Sequence, residues 1–143
     1  SSMPLISPMV EIDGELYLDG GLADSVPIER AMKIGNEKIV VILTRNPNYR
    51  KRPTTKAVAK LYRRAYRSYP NLVRTAILRN AKYNRQAEKV EKLEKEGKIF
   101  VLRPLIPTVS RLEKDYDMLM NFYDHGYCLM RREYNRLKEY LEG

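Results

Sequence analysis

The longest uninterrupted apolar stretch in the chain is only five residues long, at residues 39–43. A run of this length without alternation fits a β-strand that is covered on both faces, as strands of parallel sheets are. We therefore predict a buried strand over residues 38–44. The run is far shorter than the roughly 18 apolar residues that a membrane-spanning helix needs, so the sequence predicts no transmembrane segment.

The residues that precede this run predict a β-hairpin. Val10 and Ile12 alternate with acidic residues, Asp-Gly occupies positions 13–14, and Leu16 and Leu18 resume the alternation. An Asp-Gly pair between alternating apolar residues is a strong local signal for a hairpin turn, because both residues tolerate positive φ.

A short helix is predicted between the hairpin and the buried strand, at residues 26–33. Asp24 or Ser25 can cap it, Pro27 suits its first turn, and Gly35 stands just beyond its end. Strand, helix and strand in this order predict a βαβ unit. The predicted fold class is therefore α/β.

The rest of the chain is predicted to be mainly helical, with caps at Thr54 or Thr55 and at Ser110 and a helix end at Gly97. The expected elements are a helix to about residue 68, a helix at 71–96, a strand at 99–103 and helices at 112–121 and 124–141. The expected segments are a core part at 1–45, a basic helical part at 46–98 and a strand with a helical tail at 99–143.

The last helix carries apolar residues at spacings of three and four, which predicts a face that packs on the body of the protein. These residues are Tyr127, Met130, Tyr134, Leu137 and Leu141. Cys128 lies in the same stretch and is interpreted as a small buried hydrophobic residue.

The tripeptide Asp19-Gly20-Gly21 is the principal candidate for chemistry. It places a carboxylate at the end of a predicted strand, where α/β folds position working groups, and two residues without Cβ atoms behind it. On the tripeptide alone, the favoured interpretation is a simple turn in which Asp19 is a cap and the glycines allow a bend.

The wider pattern resembles the closing catalytic motif of the patatin-like phospholipases. That motif is Asp-Gly-Gly or Asp-Gly-Ala after an aliphatic or aromatic strand, and here Pro27-Ile28 follows it at a helix start, as is common in the family. Further stretches resemble the approach to the motif, the next core strand and the tail of the bacterial subgroup: residues 8–14, 39–44, 99–104, 109–113 and 122–127.

The resemblance implies the C-terminal portion of a three-layer α/β/α sandwich and a Ser-Asp dyad that hydrolyses carboxylic esters of lipids. Asp19 would be the catalytic base, supported by Gly20 and Gly21. The family's Gly-x-Ser-x-Gly motif and its glycine-rich oxyanion loop do not occur in the 143 residues. We therefore expect the serine in an upstream part of the same protein, and we expect this chain to be inactive alone.

The net charge of +9 arises from a central block that contains no acidic residue between positions 45 and 87. Its basic residues are Arg45, Arg50, Lys51, Arg52, Lys56, Lys60, Arg63, Arg64, Arg67, Arg74, Arg79, Lys82 and Arg85.

Three interpretations of the basic block stay open. It is a solvated helical face with Tyr62, Tyr66 and Tyr69 turned inward, a surface for anionic lipid, or, less favoured, a surface for nucleic acid. A non-catalytic module that binds anionic lipid or nucleic acid is accordingly the alternative function. The candidate contacts to an anionic membrane are Arg50, Lys51, Arg52, Arg63, Arg64 and Arg67.

The remaining residues point to no cofactor and no metal site. One histidine, His125, and one cysteine cannot build a structural zinc site, and His125 is interpreted as a residue of a helix start or of the surface. A single cysteine allows no internal disulfide, so a cytoplasmic location is expected, with possible peripheral contact to the inner membrane face.

Overall fold

The computed structural model describes residues 2–110 and 112–143 and has a mixed α/β fold. Ser1 and Arg111 lie outside the described residues, so the stretch at 109–113 is described only in part. The chain forms two compact units. The hairpin unit contains the chain up to Glu29 together with Arg50–Lys89, and the tail unit contains Arg30–Tyr49 with Val90–Gly143.

The predicted hairpin is confirmed. β1 (Val10–Ile12) pairs antiparallel with β2 (Glu15–Tyr17), and Val10 lies opposite Tyr17. Asp13 has φ +52° and Gly14 has φ +79°, which are the left-handed conformations that a two-residue hairpin turn requires.

Two helices of the hairpin unit begin within one residue of the position that local signals predict. Thr55 caps α2 (Lys56–Ala65) by accepting a hydrogen bond from the backbone N–H of Val58. The long helix α3 (Pro70–Lys95) starts at its proline. Both α3 and the short helix α1 (Ile28–Lys33) begin in the hairpin unit and end in the tail unit. Buried apolar residues of the hairpin unit are Leu22, Ile28, Ala59, Val73, Ala76, Tyr83 and Ala87.

The expected βαβ unit does not form. Within the described residues β2 pairs only with β1, whereas β3 (Val40–Ile42) pairs in parallel with β4 (Phe100–Leu102) in a second two-stranded sheet. The expectation that β3 is covered on both faces is also wrong, since Ile42 is 74% exposed. The strand that is buried is its partner β4. The larger three-layer sandwich stays a prediction.

The tail is one helix instead of two. α4 (Tyr116–Glu142) is capped by Asp115, whose carboxylate accepts from the backbone N–H of Met118 at 3.1 Å. The expected cap, Ser110, instead accepts from the backbone N–H of Leu112 in a local turn. No break separates the two predicted helices, because residues 122 and 123 between them are neither proline nor glycine, and Gly126 further along is tolerated inside a helix.

The predicted burial of the α4 apolar face is wrong for most of its length. Tyr127, Tyr134 and Leu141 are all at least half exposed, and Cys128 is exposed as well. The contact of α4 with the sheet of the tail unit comes instead from Tyr140. Its hydroxyl group lies 3.0 Å from the backbone nitrogen of Ile39 and its ring lies against Phe100.

The predicted helix caps Asp24 and Ser25 have other partners. The hydroxyl of Ser25 donates to the carbonyl oxygen of Gly21 at 2.8 Å, and the Asp24 carboxylate faces α3. α1 consequently begins two residues later than predicted. None of the helices in the described part of the chain combines the length and the apolar character that crossing a membrane requires.

Candidate functional site

Asp19 lies just beyond the end of β2 and is held by backbone hydrogen bonds on both sides of the residue. Its Oδ1 accepts a hydrogen bond from the N–H of Gly21 at 2.8 Å and caps a 3₁₀ turn over Gly20–Leu22. Its own backbone N–H donates to the carbonyl oxygen of Ser2 at 2.8 Å. The carboxylate is half-buried and its orientation is determined by the turn that follows it.

The two glycines of the motif have different roles. A Cβ at Gly21 would lie 3.0 Å from Oδ1 of Asp19 and 3.8 Å from Nη2 of Arg79, so the carboxylate itself requires this residue to be small. A Cβ at Gly20 would meet no atom within 4 Å. The structure therefore brings Asp19 and Gly21 together and leaves Gly20 facing open space.

Helix α3 holds the loop that carries the motif. Nε of Arg79 donates to the carbonyl oxygen of Gly21 at 3.0 Å, and Nζ of Lys82 donates to that of Ala23 at 2.7 Å. Both donors satisfy carbonyl groups that the short 3₁₀ turn leaves without helical partners. We call the side chains of α3 that contact residues 21–29 the loop clamp.

The loop clamp continues toward the C-terminus of α3. The side-chain amide of Gln86 donates to Asp24, and Lys82 lies 3.7 Å from the same carboxylate. Lys89 forms an ion pair of 3.1 Å with Glu29. Positions 79, 82, 86 and 89 are separated by three, four and three residues, so they form one stripe along α3.

The loop clamp was not identified from the sequence, where Arg79 and Lys82 counted only as members of the basic block. The sequence signal that could have identified it is the spacing of these polar residues. They follow one line along α3, next to the buried positions Ala76, Tyr83 and Ala87. Such a stripe indicates a polar partner near the buried face, although it does not indicate which loop that partner is.

The predicted contacts to an anionic membrane include residues 50–52. Two of these three residues have partners within the hairpin unit. Arg50 lies 3.8 Å from the carboxylate of Glu88, and the ammonium group of Lys51 lies 4.0 Å from the ring centroid of Tyr83. Arg52 is exposed. Arg50 and Lys51 therefore each have a partner within the hairpin unit.

The other predicted contacts to an anionic membrane lie on the surface at the C-terminal end of α2. Arg63 and Arg64 occupy its last turn and Arg67 follows it, and all three side chains are exposed. Two cations in the last turn interact favourably with the carbonyl end of the helix.

The tail unit contains an open cleft of about 340 Å³ whose charged groups are paired with one another. Arg103 bonds to Glu94, while Arg132 and Arg136 both bond to Glu133. Because each arginine of the cleft has a carboxylate partner, the cleft presents little unbalanced charge to a ligand.

His125 lies within α4, where its Nε2 accepts a hydrogen bond from the backbone N–H of Leu105 at 3.1 Å. It is therefore a structural contact of the loop that follows β4. In residues 2–110 and 112–143, no three histidine, cysteine or acidic side chains gather closely enough to hold a metal ion.

Comparison with known families gives one match. A family model described as "Domain of unknown function (DUF6363)" matches residues 69–142, which contains all of α3, β4 and α4. Arg79, Lys82, Gln86 and Lys89 of the loop clamp lie within the matched region, whereas Asp19 lies outside it. No curated protein matches the chain.

Proposed function

Because this chain belongs to the DUF6363 family, whose description names no activity, we propose a function from the geometry around Asp19: the chain supplies the catalytic aspartate of a patatin-like serine acyl hydrolase that acts on carboxylic esters of lipids. The observation that supports the proposal is the anchored carboxylate. Asp19 lies two residues beyond the end of β2, and the Gly21 N–H orients one of its oxygens at 2.8 Å.

In the proposed reaction, Asp19 accepts the proton of a serine hydroxyl group while the serine oxygen attacks the ester carbonyl carbon. The carbon–oxygen bond to the alcohol then breaks, and Asp19 returns the proton to the leaving alcohol oxygen. In a second round, Asp19 accepts a proton from water while the water oxygen attacks the acyl carbon. The bond between that carbon and the serine oxygen breaks, the fatty acid leaves, and Asp19 returns the proton to the serine oxygen. A base in this role needs a defined orientation more than it needs mobility, and the loop clamp favours such an orientation.

The serine and the oxyanion donors belong, in this proposal, to an upstream part of the same protein in the three-layer sandwich of the patatin-like fold. The exposure of the hairpin supports this. Val10, Ile12 and Leu16 are each about half exposed, although two isolated strands with apolar residues on the surface are only marginally stable in water. Further strands beside the hairpin would bury these side chains.

The first test is fluorophosphonate labelling of the natural polypeptide in source-cell lysate, captured with an antibody raised against this chain. A labelled band heavier than 16.8 kDa is expected, since the label reacts with an activated serine. An unlabelled band at 16.8 kDa as the sole product would overturn the proposal.

The second test compares Asp19→Asn with Asp13→Asn in the serine-containing polypeptide. Both changes remove one negative charge from the same hairpin region, and asparagine tolerates the positive φ of position 13. Asp19→Asn should lower kcat for a p-nitrophenyl ester by at least about 100-fold, whereas Asp13→Asn should leave it nearly unchanged. Turnover of Asp19→Asn close to that of the unaltered protein would remove Asp19 from the mechanism.

A further inference from the structure

Helix α2 presents two different flanks to the solvent. Val58 and Leu61 are 40% and 50% exposed and lie three residues apart on one flank. Lys56, Lys60 and Arg64 are separated by four residues each and form an exposed basic stripe on the neighbouring flank. An apolar flank beside a basic one is the pattern of a helix that lies in the plane of a membrane interface.

The cations of α2 differ from those of α3 in what they contact. Arg79 and Lys82 of α3 are directed to carbonyl groups of the loop, as described above. Within residues 2–110 and 112–143, the cations of α2 and the turn after it form no ion pair. These residues are Lys56, Lys60, Arg63, Arg64 and Arg67. Their charge is therefore available to an anionic partner.

Tyr62 of α2 and Tyr66, which follows the helix, pack within the hairpin unit. The rings of Tyr62 and Tyr66 stack on each other with centroids 6.4 Å apart, and both residues are half-buried. The hydroxyl oxygen of Tyr66 accepts a hydrogen bond from the backbone N–H of Leu5 at 3.0 Å. Single-stranded nucleic acids are held by exposed aromatic rings on which bases stack, and these two rings do not offer such a platform.

We propose that α2 docks on the surface of an anionic lipid bilayer. Val58 and Leu61 enter the boundary between head groups and acyl chains, and the basic stripe contacts the lipid phosphates. The exposed aliphatic side chains favour a bilayer over a nucleic acid, because they gain free energy from an apolar environment that a phosphate backbone does not provide. This docking does not depend on the role of Asp19, so the two proposals can fail separately.

The charge contribution is tested by co-sedimentation of the full 143-residue chain with vesicles of phosphatidylcholine alone or with 30% phosphatidylglycerol. Lys60→Gln with Arg64→Gln removes two charges from the basic stripe of α2, and Arg74→Gln with Arg85→Gln removes two exposed charges from α3 as the matched control. Each cation at an anionic surface contributes about fivefold to binding, so the α2 pair should weaken binding by about 25-fold and the α3 pair by much less. Equal weakening by the two pairs would overturn the proposal.

The apolar contribution is tested with tryptophan as a reporter, since the chain contains none. Leu61→Trp on α2 and Leu78→Trp on α3 replace leucines that are 50% and 49% exposed. The emission of Leu61→Trp should shift to the blue on anionic vesicles, because the indole leaves water, and that of Leu78→Trp should not. No shift at position 61, or an equal shift at both positions, would contradict docking through α2.

Nucleic acid is the competing partner and is tested in the same buffers. Fluorescence anisotropy with single-stranded RNA and double-stranded DNA should show binding weaker than that to anionic vesicles at equal salt. Tighter nucleic-acid binding that the α2 charge pair reduces, together with no vesicle binding, would replace the lipid proposal with a nucleic-acid surface.

Discussion

Nε of Arg79 donates a hydrogen bond to the carbonyl oxygen of Gly21 at 3.0 Å, and the N–H of the same glycine donates to Oδ1 of Asp19 at 2.8 Å. One glycine thus connects a side chain of α3 with the candidate catalytic carboxylate. Arg79 does not need to touch a substrate to affect Asp19, since it stabilises the turn on which the carboxylate depends.

Replacing Arg79 should loosen this turn. Arg79→Met keeps the length of the side chain but removes its donors, and we expect the free energy of unfolding to fall by about 1 kcal/mol. Amide hydrogen exchange at Gly21 should become faster, because the turn opens more often. Arg85→Met, at an exposed position of the same helix, is the control and should change neither quantity appreciably. Unchanged exchange at Gly21 in Arg79→Met would show that Arg79 does not stabilise the turn.

Tyr140 should stabilise the tail unit through its hydroxyl group. The oxygen lies 3.0 Å from the backbone nitrogen of Ile39 and 3.2 Å from the carbonyl oxygen of Lys98, so it joins α4 to the starts of both strands of the second sheet. Tyr140→Phe should cost about 1 kcal/mol in urea denaturation. Tyr134→Phe, at a 58% exposed position of the same helix, should change stability by less than about 0.5 kcal/mol. Equal losses would indicate a general effect on α4.

Replacing Gly97 and Gly126 by alanine should change the stability of the protein in opposite directions. Gly97 has φ +68° at the end of α3, whereas Gly126 lies inside α4, and an added Cβ meets nothing within 4 Å at either position. Gly97→Ala should destabilise the protein by about 1 kcal/mol, because an L-residue is strained at positive φ. Gly126→Ala should stabilise it by up to about 1 kcal/mol, since alanine favours the helix. Thermal unfolding of the two variants measures both signs, and a stabilising Gly97→Ala would contradict the left-handed helix end.

Glu96 should titrate below its ordinary range in the folded chain. The side-chain hydrogen bond from Lys98 is the main reason that the pKa of Glu96 is lowered. Desolvation of the carboxyl group raises this pKa, whereas the charges of Lys98 and Lys92 lower it further. Because the folded pKa lies below the unfolded one, the contribution to stability is present above the unfolded pKa and is lost as the pH falls through the folded pKa. Lys98→Gln should therefore raise the pKa of Glu96, as carboxyl NMR titration can measure. Lys95→Gln, which removes a cation that does not contribute to the shift, should leave this pKa in place.

Local signals in the sequence predicted several of the element boundaries that depend on single residues. The Asp13-Gly14 turn, the Thr55 cap, the start of α3 beside Pro70 and its end before Gly97 all lie where the sequence indicated. Each of these signals acts through the backbone conformation of the residue itself or through a hydrogen bond a few residues away.

The incorrect predictions of strand pairing and burial concern contacts between distant parts of the chain. β3 has the apolar composition of a strand covered on both faces, yet its neighbour in the sheet is β4, whose paired residues lie sixty positions further along the chain, and Ile42 stays exposed. The apolar spacing of α4 is real, but spacing alone does not show which neighbour buries a face. The burial of Cys128 was wrong for the same reason.

The sequence by itself determined the hairpin, the position of Asp19 at the end of its second strand and the concentration of positive charge between residues 45 and 87. Only the tertiary structure separated those charges into α3 cations that hold the Asp19 loop and α2 cations that remain on the surface. The reason is that the sequence specifies the charge of a side chain and its position on a helix. Whether that charge meets a carbonyl group or water depends on the segment that packs against the helix, and for Arg79 that segment lies more than fifty residues away.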